Sequence, residues 1–598
     1  MKCYFVLFIS VVLLSCIIAC QDSISKDLSE NNTKAKPNIV LIMTDDQGWG
    51  DLSMNGHQDL ETPNIDALAA SGISFDRFYV SPVCSPTRAE ILTGRYAVRG
   101  GVYSTSAGGE RLDLDETTIG DVFKAAGYNT AAYGKWHNGM QAGYHPNARG
   151  FDDFYGFCSG HWGNYFDPML EHNGEIVKGK GYIADDLTDH GLSFIEENKS
   201  EPFFLYLPYC TPHSPMQVPD KWFAKYQNVK LTQQGTEPSK EDVEHTKAAL
   251  AMCENIDWNV GRIMQQLKTL ELLENTIVLF LSDNGPNGHR WNGGMRGTKG
   301  STDEGGIRSP LMLSWKGTLD SNRTVKKIAS SIDILPTLCD LVGIETTTNK
   351  PIDGVSIKSL LVGNEENWKD RMVTSYWKDR ISVRSQGHRL DSDERLYDMI
   401  QDPFQGVDVA KDHPDIFKAL VDEKQKYISQ VLIELPKVDE RTFDVGHPNQ
   451  TYTQLPARDG TAFGSIKRSN KYPNCSYFTN WTDLDDAIVW EAEVLESGEF
   501  EVDLYYTCPP SSIGSKFAFS IGDEQIETVI TEAHDPPDKG MEHDRIPRQE
   551  SYVKDFRKKS LGRIRLKEGP GEIKLKALEI KGDELMDVRM LMLKRVNF

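Results

Sequence analysis

Ile39-Val40-Leu41-Ile42-Met43, running straight into Thr44-Asp45-Asp46, decides the architecture expected of this 598-residue chain. Five consecutive apolar residues describe a strand buried on both faces, the condition of a parallel sheet covered by helices. Ile277-Val278-Leu279-Phe280-Leu281, Phe203-Phe204-Leu205-Tyr206-Leu207 and Asn129-Thr130-Ala131-Ala132-Tyr133 read the same way, with helix-like stretches between them from Pro37 to about Ile344. The expected class is α/β, a mostly parallel sheet with helices on both faces. Each strand is followed at once by polar residues: Asp45-Asp46, Asp283-Asn284, His213 after a Pro-Tyr-Cys-Thr-Pro turn, and Lys135-x-His137. Ligands of open α/β sheets bind beyond the carboxyl ends of strands, so these segments point at one site.

Beyond Pro351 the pattern changes to short strands and a late helix, roughly Pro414 to Leu432. This predicts a catalytic domain over 37–345 and a smaller α+β subdomain over 346–440. Residues 441–459 are polar and turn-rich and read as a linker. From 460 to 598 the apolar residues alternate, as in Phe500, Val502, Leu504 and Tyr506 or Ile573, Leu575 and Ala577. Period two with glycine turns predicts an antiparallel β-sandwich. Trp481, Trp490 and Tyr552 are its candidates for carbohydrate contact, against a role as simple scaffold. Cys475 and Cys508 share the region, and their pairing is open.

At the other end, Lys2 precedes an almost wholly apolar run, Phe5 to Ile18, too short to span a bilayer comfortably. Residues 1–19 read as an export signal. Ile17-Ile18-Ala19-Cys20 resembles a bacterial lipoprotein cleavage box, with Cys20 the lipidated first residue and polar 20–36 a flexible tether. The expectation is an exported lipoprotein, periplasmic or at the cell surface, anchored to the membrane through Cys20. A formal net charge of −22 argues against a nucleic-acid partner. It does not exclude an anionic substrate, because a few basic groups converging with a metal reverse the local potential.

Asp45, Asp46, Asp283 and Asn284 offer only oxygen ligands, which suits a hard cation, Ca²⁺ more readily than Mg²⁺. Cys84-Ser85-Pro86-Thr87-Arg88 puts a thiol at an expected helix start, with Ser85 able to cap and Pro86 suited to the first helical position. Free N–H groups there favour an anion. Lys135 and His137 in Gly-Lys-Trp-His supply an ammonium and a proton carrier, as does His213 in Thr-Pro-His-Ser-Pro. Lys299 lies in a Gly-Thr-Lys-Gly segment that continues to Glu304 and Arg308. Tyr144, His145, His161, Trp162, His289, Arg290 and Trp291 fall in loops after these segments, where a sugar can stack or hydrogen-bond.

In this order, over roughly Pro37 to Leu432, the motifs resemble the formylglycine-dependent type I sulfatases of the alkaline-phosphatase-like superfamily. The resemblance implies that a maturation enzyme oxidises Cys84 to formylglycine, whose hydrate attacks sulfur. It implies that Asp45, Asp46, the Cys84 side chain, Asp283 and Asn284 bind calcium, with Asp283 also helping to deprotonate the nucleophile. Arg88 would orient formylglycine, Lys135 and Lys299 would hold sulfate, and His213 would protonate the leaving alcohol. His137 would then deprotonate the second hydroxyl, expelling sulfate, while Glu304 and Arg308 brace the loop. Ser309 departs from the family, many relatives having Val there. The implied function is hydrolysis of sulfate esters on a sulfated carbohydrate. The signal, tether and sandwich together resemble glycan-foraging bacterial enzymes acting on algal polymers such as ulvan, carrageenan or fucoidan. Two alternatives stand beside this: a formylglycine-dependent phosphonate or phosphate ester hydrolase, and an inactive surface glycan-binding protein.

Overall fold

The strand quoted first, β1 (Asn38–Thr44), lies within a ten-stranded sheet. In chain order the others are β2 (Ile73–Phe75), β3 (Asn129–Lys135), β4 (Asp153–Phe157), β5 (Met169–His172), β6 (Glu175–Lys178), β7 (Phe203–Pro208), β8 (Thr276–Ser282), β9 (Leu311–Ser314) and β10 (Arg323–Val325). Their spatial order is β10-β2-β9-β8-β1-β7-β3-β4-β5-β6. The computed structural model describes residues 36–596, so the expected export signal, Cys20 and almost all of the tether lie outside the described residues.

The central strands β8, β1, β7, β3 and β4 are mutually parallel, whereas β9 and β5 run against their neighbours on either side. Both faces are buried, which is why the strands carry unbroken apolar runs. Ile39, Leu41 and Met43 face α2 (Cys84–Thr93), α3 (Ile119–Ala125) and α6 (Ile334–Val342). Val40 and Ile42 face α1 (Pro63–Ala70), α4 (Ile183–Glu197) and the long α5 (Val243–Thr269). Successive strand residues point to opposite faces, so each apolar run feeds two cores at once, each buried side chain contributing about 1.5–3 kcal/mol.

After the main sheet, an antiparallel four-stranded sheet (Val373–Trp377 to Leu396–Asp398) packs against α7 (Pro414–Gln430), with Leu420 among Val383, Leu390 and Leu396. Two six-stranded sheets then form the sandwich. Its core matches the period-two reading: Phe500, Val502 and Leu504 of one sheet meet Phe517, Phe519, Ile573 and Leu575 of the other. Residues 441–459 do not behave as a linker. Phe443–Val445 pairs with Ala492–Val494, and Tyr452–Pro456 pairs with Met590–Lys594, so the stretch supplies two strands of the sandwich. The main sheet and the sandwich fall in one unit beginning at Pro37.

Trp481 and Trp490 are each 1% exposed and belong to the sandwich core, which removes them as sugar platforms. The Trp490 indole N–H donates to Pro456 O at 3.1 Å, tying the supposed linker to the sheet. Trp490→Ala is therefore expected to lower unfolding free energy by about 3–5 kcal/mol through lost burial and a residual cavity. Urea unfolding followed by tryptophan fluorescence and circular dichroism checks this; a variant that lost polysaccharide affinity at unchanged stability would contradict it.

Candidate active site

Four adjacent parallel strands, β8, β1, β7 and β3, release their chemistry at the same edge of the sheet. The register sets Thr44 opposite Ser282, so Asp45-Asp46 and Asp283-Asn284 leave side by side. Asp283 N–H donates to Thr44 O at 3.0 Å, and Asp45 N–H donates to Thr211 O at 3.1 Å, drawing in the loop that carries His213. Lys299 arrives on a loop whose backbone presses on the Asp283 turn. A Cβ on Gly285 would sit 2.0 Å from Gly305 O, and Gly285 N–H donates to Gly306 O at 2.9 Å. Only glycine permits that approach.

Cys84 is the first residue of α2, and every residue of that helix is buried. The expected capping differs in one respect. Val83, extended, is the N-cap without a side-chain bond, which puts Ser85 and Pro86 inside the first turn. Ser85 instead meets Asn138, whose Nδ2 donates to its carbonyl at 3.2 Å. Ligand atoms of Asp45, Cys84 and Asp283 lie within 4.8 Å of one another, as do those of Asp45, Asp46 and His213.

Three carboxylates here face three cations. Lys135 Nζ donates to Asp45 Oδ2 at 2.7 Å, Lys299 Nζ pairs with Asp46 Oδ1 at 2.6 Å, and Arg88 pairs with Asp283 Oδ2 at 2.8 Å. Arg88 also donates to Lys135 O at 2.6 Å. Yet Asp45 Oδ1, Asp46 Oδ2 and Asn284 Oδ1 are buried without hydrogen-bond partners. Buried carboxylate oxygens are costly to leave unpaired. Asn284 turns its amide N–H toward Asp46 Oδ1 at 2.8 Å and Gly285 O at 2.9 Å, leaving its oxygen open. An oxygen-only set of this kind fits a divalent cation of the calcium type. Asp46 takes a left-handed conformation, φ 66°, to present its carboxylate.

Burial pushes Asp283 up to about 6, with Asp45 adding to it against Arg88 and Lys135. Burial acts in the same sense on Asp46, but Lys299, His213 and Asn284 outweigh it and hold that carboxyl well below the usual range. The Cys84 thiol is raised by burial, with Lys135 and Lys299 opposing. A neutral thiol is a weak nucleophile.

His137 Nε2 sits 2.9 Å from Thr105 O, which fixes hydrogen on Nε2 and leaves Nδ1, buried and unpartnered, as the basic atom. Burial and Lys135 keep this ring well below the ordinary imidazole range. His213 is oriented the other way. Its Nδ1 lies 2.7 Å from Ser214 O, and its Nε2 faces Asp46 Oδ2 at 3.7 Å. Burial and then Lys299 lower it to about 4.

The remaining candidates divide. Glu304 and Arg308 brace the loop: Glu304 accepts from Tyr79 OH at 2.8 Å and sits among Arg384, Arg389 and Arg308. Ser309, the departure from the family, donates to Ser282 O at 2.8 Å and accepts from Ser282 N–H at 3.0 Å, so its hydroxyl ties down the strand end before Asp283. His161 is 5% exposed, and its ring centroid is 5.4 Å from that of His213.

Arg290 is not a surface residue. It is buried, paired with Asp51 at 2.6 Å, and donates to Asp46 O at 2.7 Å, bracing the Asp46 turn. Tyr144 and His145 are also buried, His145 against Glu171 at 3.0 Å. Trp162 stacks on Phe157 at 4.8 Å, while Trp291 packs edge-on against His57 and His289 pairs with Glu237. Cys475 and Cys508 are both free thiols, bonded to His161 O and Glu532 O respectively.

Residues 37–344 match the Sulfatase family, and residues 299–434 match the family described as N-sulphoglucosamine sulphohydrolase, C-terminal. Mouse (Mus musculus) N-acetylgalactosamine-6-sulfatase is 32% identical over 358 residues, which is 54% of this chain and 65% of that protein. The chain thus spans just under two thirds of the mouse protein's length. Human (Homo sapiens) arylsulfatase A is 35% identical over 366 residues, 55% of this chain and 68% of that protein. Among solved structures, Ps i-CgsB in complex with k-i-k-neocarrahexaose is similar with a TM-score of 0.60 at 32% identity, covering 66% of this chain and 92% of that one.

Proposed function

The chain belongs to the sulfatase family, and from that premise we propose that it hydrolyses sulfate esters on a sulfated carbohydrate, releasing inorganic sulfate. One observation carries the proposal: the unpartnered buried oxygens of Asp45, Asp46 and Asn284 stand at the strand edge where Cys84, Lys135 and Lys299 also converge. Asp45, Asp46, Asp283 and Asn284 would hold a divalent cation, calcium by donor type, which would supply fixed positive charge to sulfate oxygens. Cys84, converted to formylglycine, would supply a hydrated aldehyde as nucleophile.

The chain's own groups account for the rest. Lys135 and Lys299, which neutralise Asp45 and Asp46, would supply ammonium charge to the sulfate oxygens. Arg88 fixes Asp283 from behind and takes no part in proton transfer. His213, with Nδ1–H committed to Ser214 O, is bare at Nε2 when neutral, and delivers a proton to the departing oxygen from its imidazolium form, which Asp46 Oδ2 at 3.7 Å favours against burial and Lys299. His137, with Nε2 committed to Thr105 O, accepts one at Nδ1. The α2 N-terminus adds free N–H groups beside position 84.

The substrate class we favour is an algal polysaccharide or its oligosaccharides, ulvan among them. The apolar run before Cys20 and the extra sandwich support this, as does a relative at 32% identity solved with a neocarrahexaose. Export and lipid anchoring through Cys20 belong to the same proposal. The test uses protein matured by co-expression with a formylglycine-generating enzyme. Sulfate released from ulvan, carrageenan, fucoidan and glycosaminoglycan oligosaccharides, and from 4-nitrophenyl sulfate, is measured by ion chromatography before and after EGTA treatment. The expected result is release from an algal oligosaccharide, lost on chelation and restored by calcium. Release from glycosaminoglycans alone would remove the algal assignment, and no release from any substrate would remove the sulfatase proposal.

A further inference from the structure

Two stretches of the sandwich reach the immediate neighbours of both catalytic histidines. Glu550 accepts a hydrogen bond from Ser214 Oγ at 2.8 Å, and that hydroxyl lies 3.5 Å from His213 Nδ1. Asn474 donates to Thr105 O at 3.2 Å, the carbonyl that also holds His137 Nε2. The loop carrying His161 is gripped from the same side: Cys475 Sγ donates to His161 O at 3.0 Å, Arg458 donates to Ser159 Oγ, and Arg548 donates to Gly163 O. His161 is 5% exposed with both ring nitrogens unpartnered, although one of them must carry hydrogen. A buried imidazole in that state costs free energy until a polar ligand meets it. Glu550 itself is half-buried.

We propose that the sandwich forms one wall of the substrate site, and that Glu550, together with His161, recognises the hydroxyl groups of the sugar bearing the scissile sulfate. The inference rests on the sulfatase proposal and goes past it, since both family matches end by residue 434 and leave the sandwich without a role. The chemistry specifies the ligand class. A carboxylate accepts hydrogen bonds from hydroxyls and repels a second sulfate or a uronate at the same position. Glu550 thus selects a neutral, hydroxyl-bearing face beside the sulfate ester. An aryl sulfate presents no such face.

The test compares Glu550→Ala and Glu550→Gln with the parent protein. The readout is the ratio of kcat/KM for the best-cleaved oligosaccharide to kcat/KM for 4-nitrophenyl sulfate. Glu550→Ala is expected to lower this ratio at least tenfold, with Glu550→Gln intermediate because its amide oxygen still accepts. A proportional fall on both substrates would show that Glu550 acts only through Ser214 and His213, and would overturn the proposal, as would an unchanged ratio. Calorimetric binding of the same oligosaccharide to Cys84→Ala protein, with and without Glu550→Ala, reads the contact without turnover. Binding at least tenfold weaker is expected, and equal binding overturns the wall assignment. If the parent releases no sulfate, the sulfatase proposal fails, while the binding comparison still decides the role of Glu550.

Discussion

Cys84→Ala abolishes sulfate release, by on the order of 10⁴-fold or more in kcat, the scale at which removing a nucleophile acts in covalent catalysis. The same loss is expected of protein made without the maturation enzyme. The thiol is 2% exposed and raised by burial, so the unconverted side chain is neutral in a site built to stabilise charge. Alanine suits the first turn of a helix and removes only the sulfur atom, so α2 keeps its place. Circular dichroism should show an unchanged fold. Full activity in protein whose Cys84 peptide retains the thiol mass would sink the formylglycine assignment.

Arg88→Ala is expected to cost about 3–5 kcal/mol of stability, the penalty for stripping one partner from a buried ion pair. Both Arg88 and Asp283 side chains are 0% exposed, and Arg88 spans Asp283 Oδ2 and Lys135 O. Without the guanidinium, Asp283 is left as an uncompensated charge beside Asp45 and Asp46. Calcium bound there would replace part of the missing positive charge, so the loss should be larger in EGTA than in calcium. Urea denaturation in both conditions measures this, with Arg88→Met/Asp283→Leu as the control expected to recover stability. Equal midpoints for parent and Arg88→Ala in EGTA would refute the account.

The main sheet was legible because its central strands are buried on both faces, which forces unbroken apolar runs such as 39–43 and 277–281. The carboxyl-end residues were legible for a topological reason: parallel strands deliver every C-terminus to one edge. Other features carry no such signal. The strands at 443–445 and 452–456 are short and polar enough to read as linker. Residue type alone did not distinguish buried Trp490, Tyr144 and Arg290 from exposed aromatic and basic side chains. The roles of Lys299 and His213 came from family resemblance, since a lysine in a glycine-rich loop is ordinary by itself. The contact between Ser214 and Glu550 joins residues 336 apart, and no local pattern announces it.

The burial of every residue of α2 also imposes an order of events on the chain. An enzyme that must grasp Cys84 has no access once Asp283 and Lys299 have closed beside it, and those residues follow it by some 200 positions in the sequence. Enzymatic conversion of this thiol would therefore be confined to an interval before folding is complete. A molecule that folds first keeps its thiol, and only unfolding gives it a second chance. If conversion of Cys84 activates the protein, the yield of active protein would be set by a race between oxidation and closure, and slowing folding should raise it without altering any contact in the finished site.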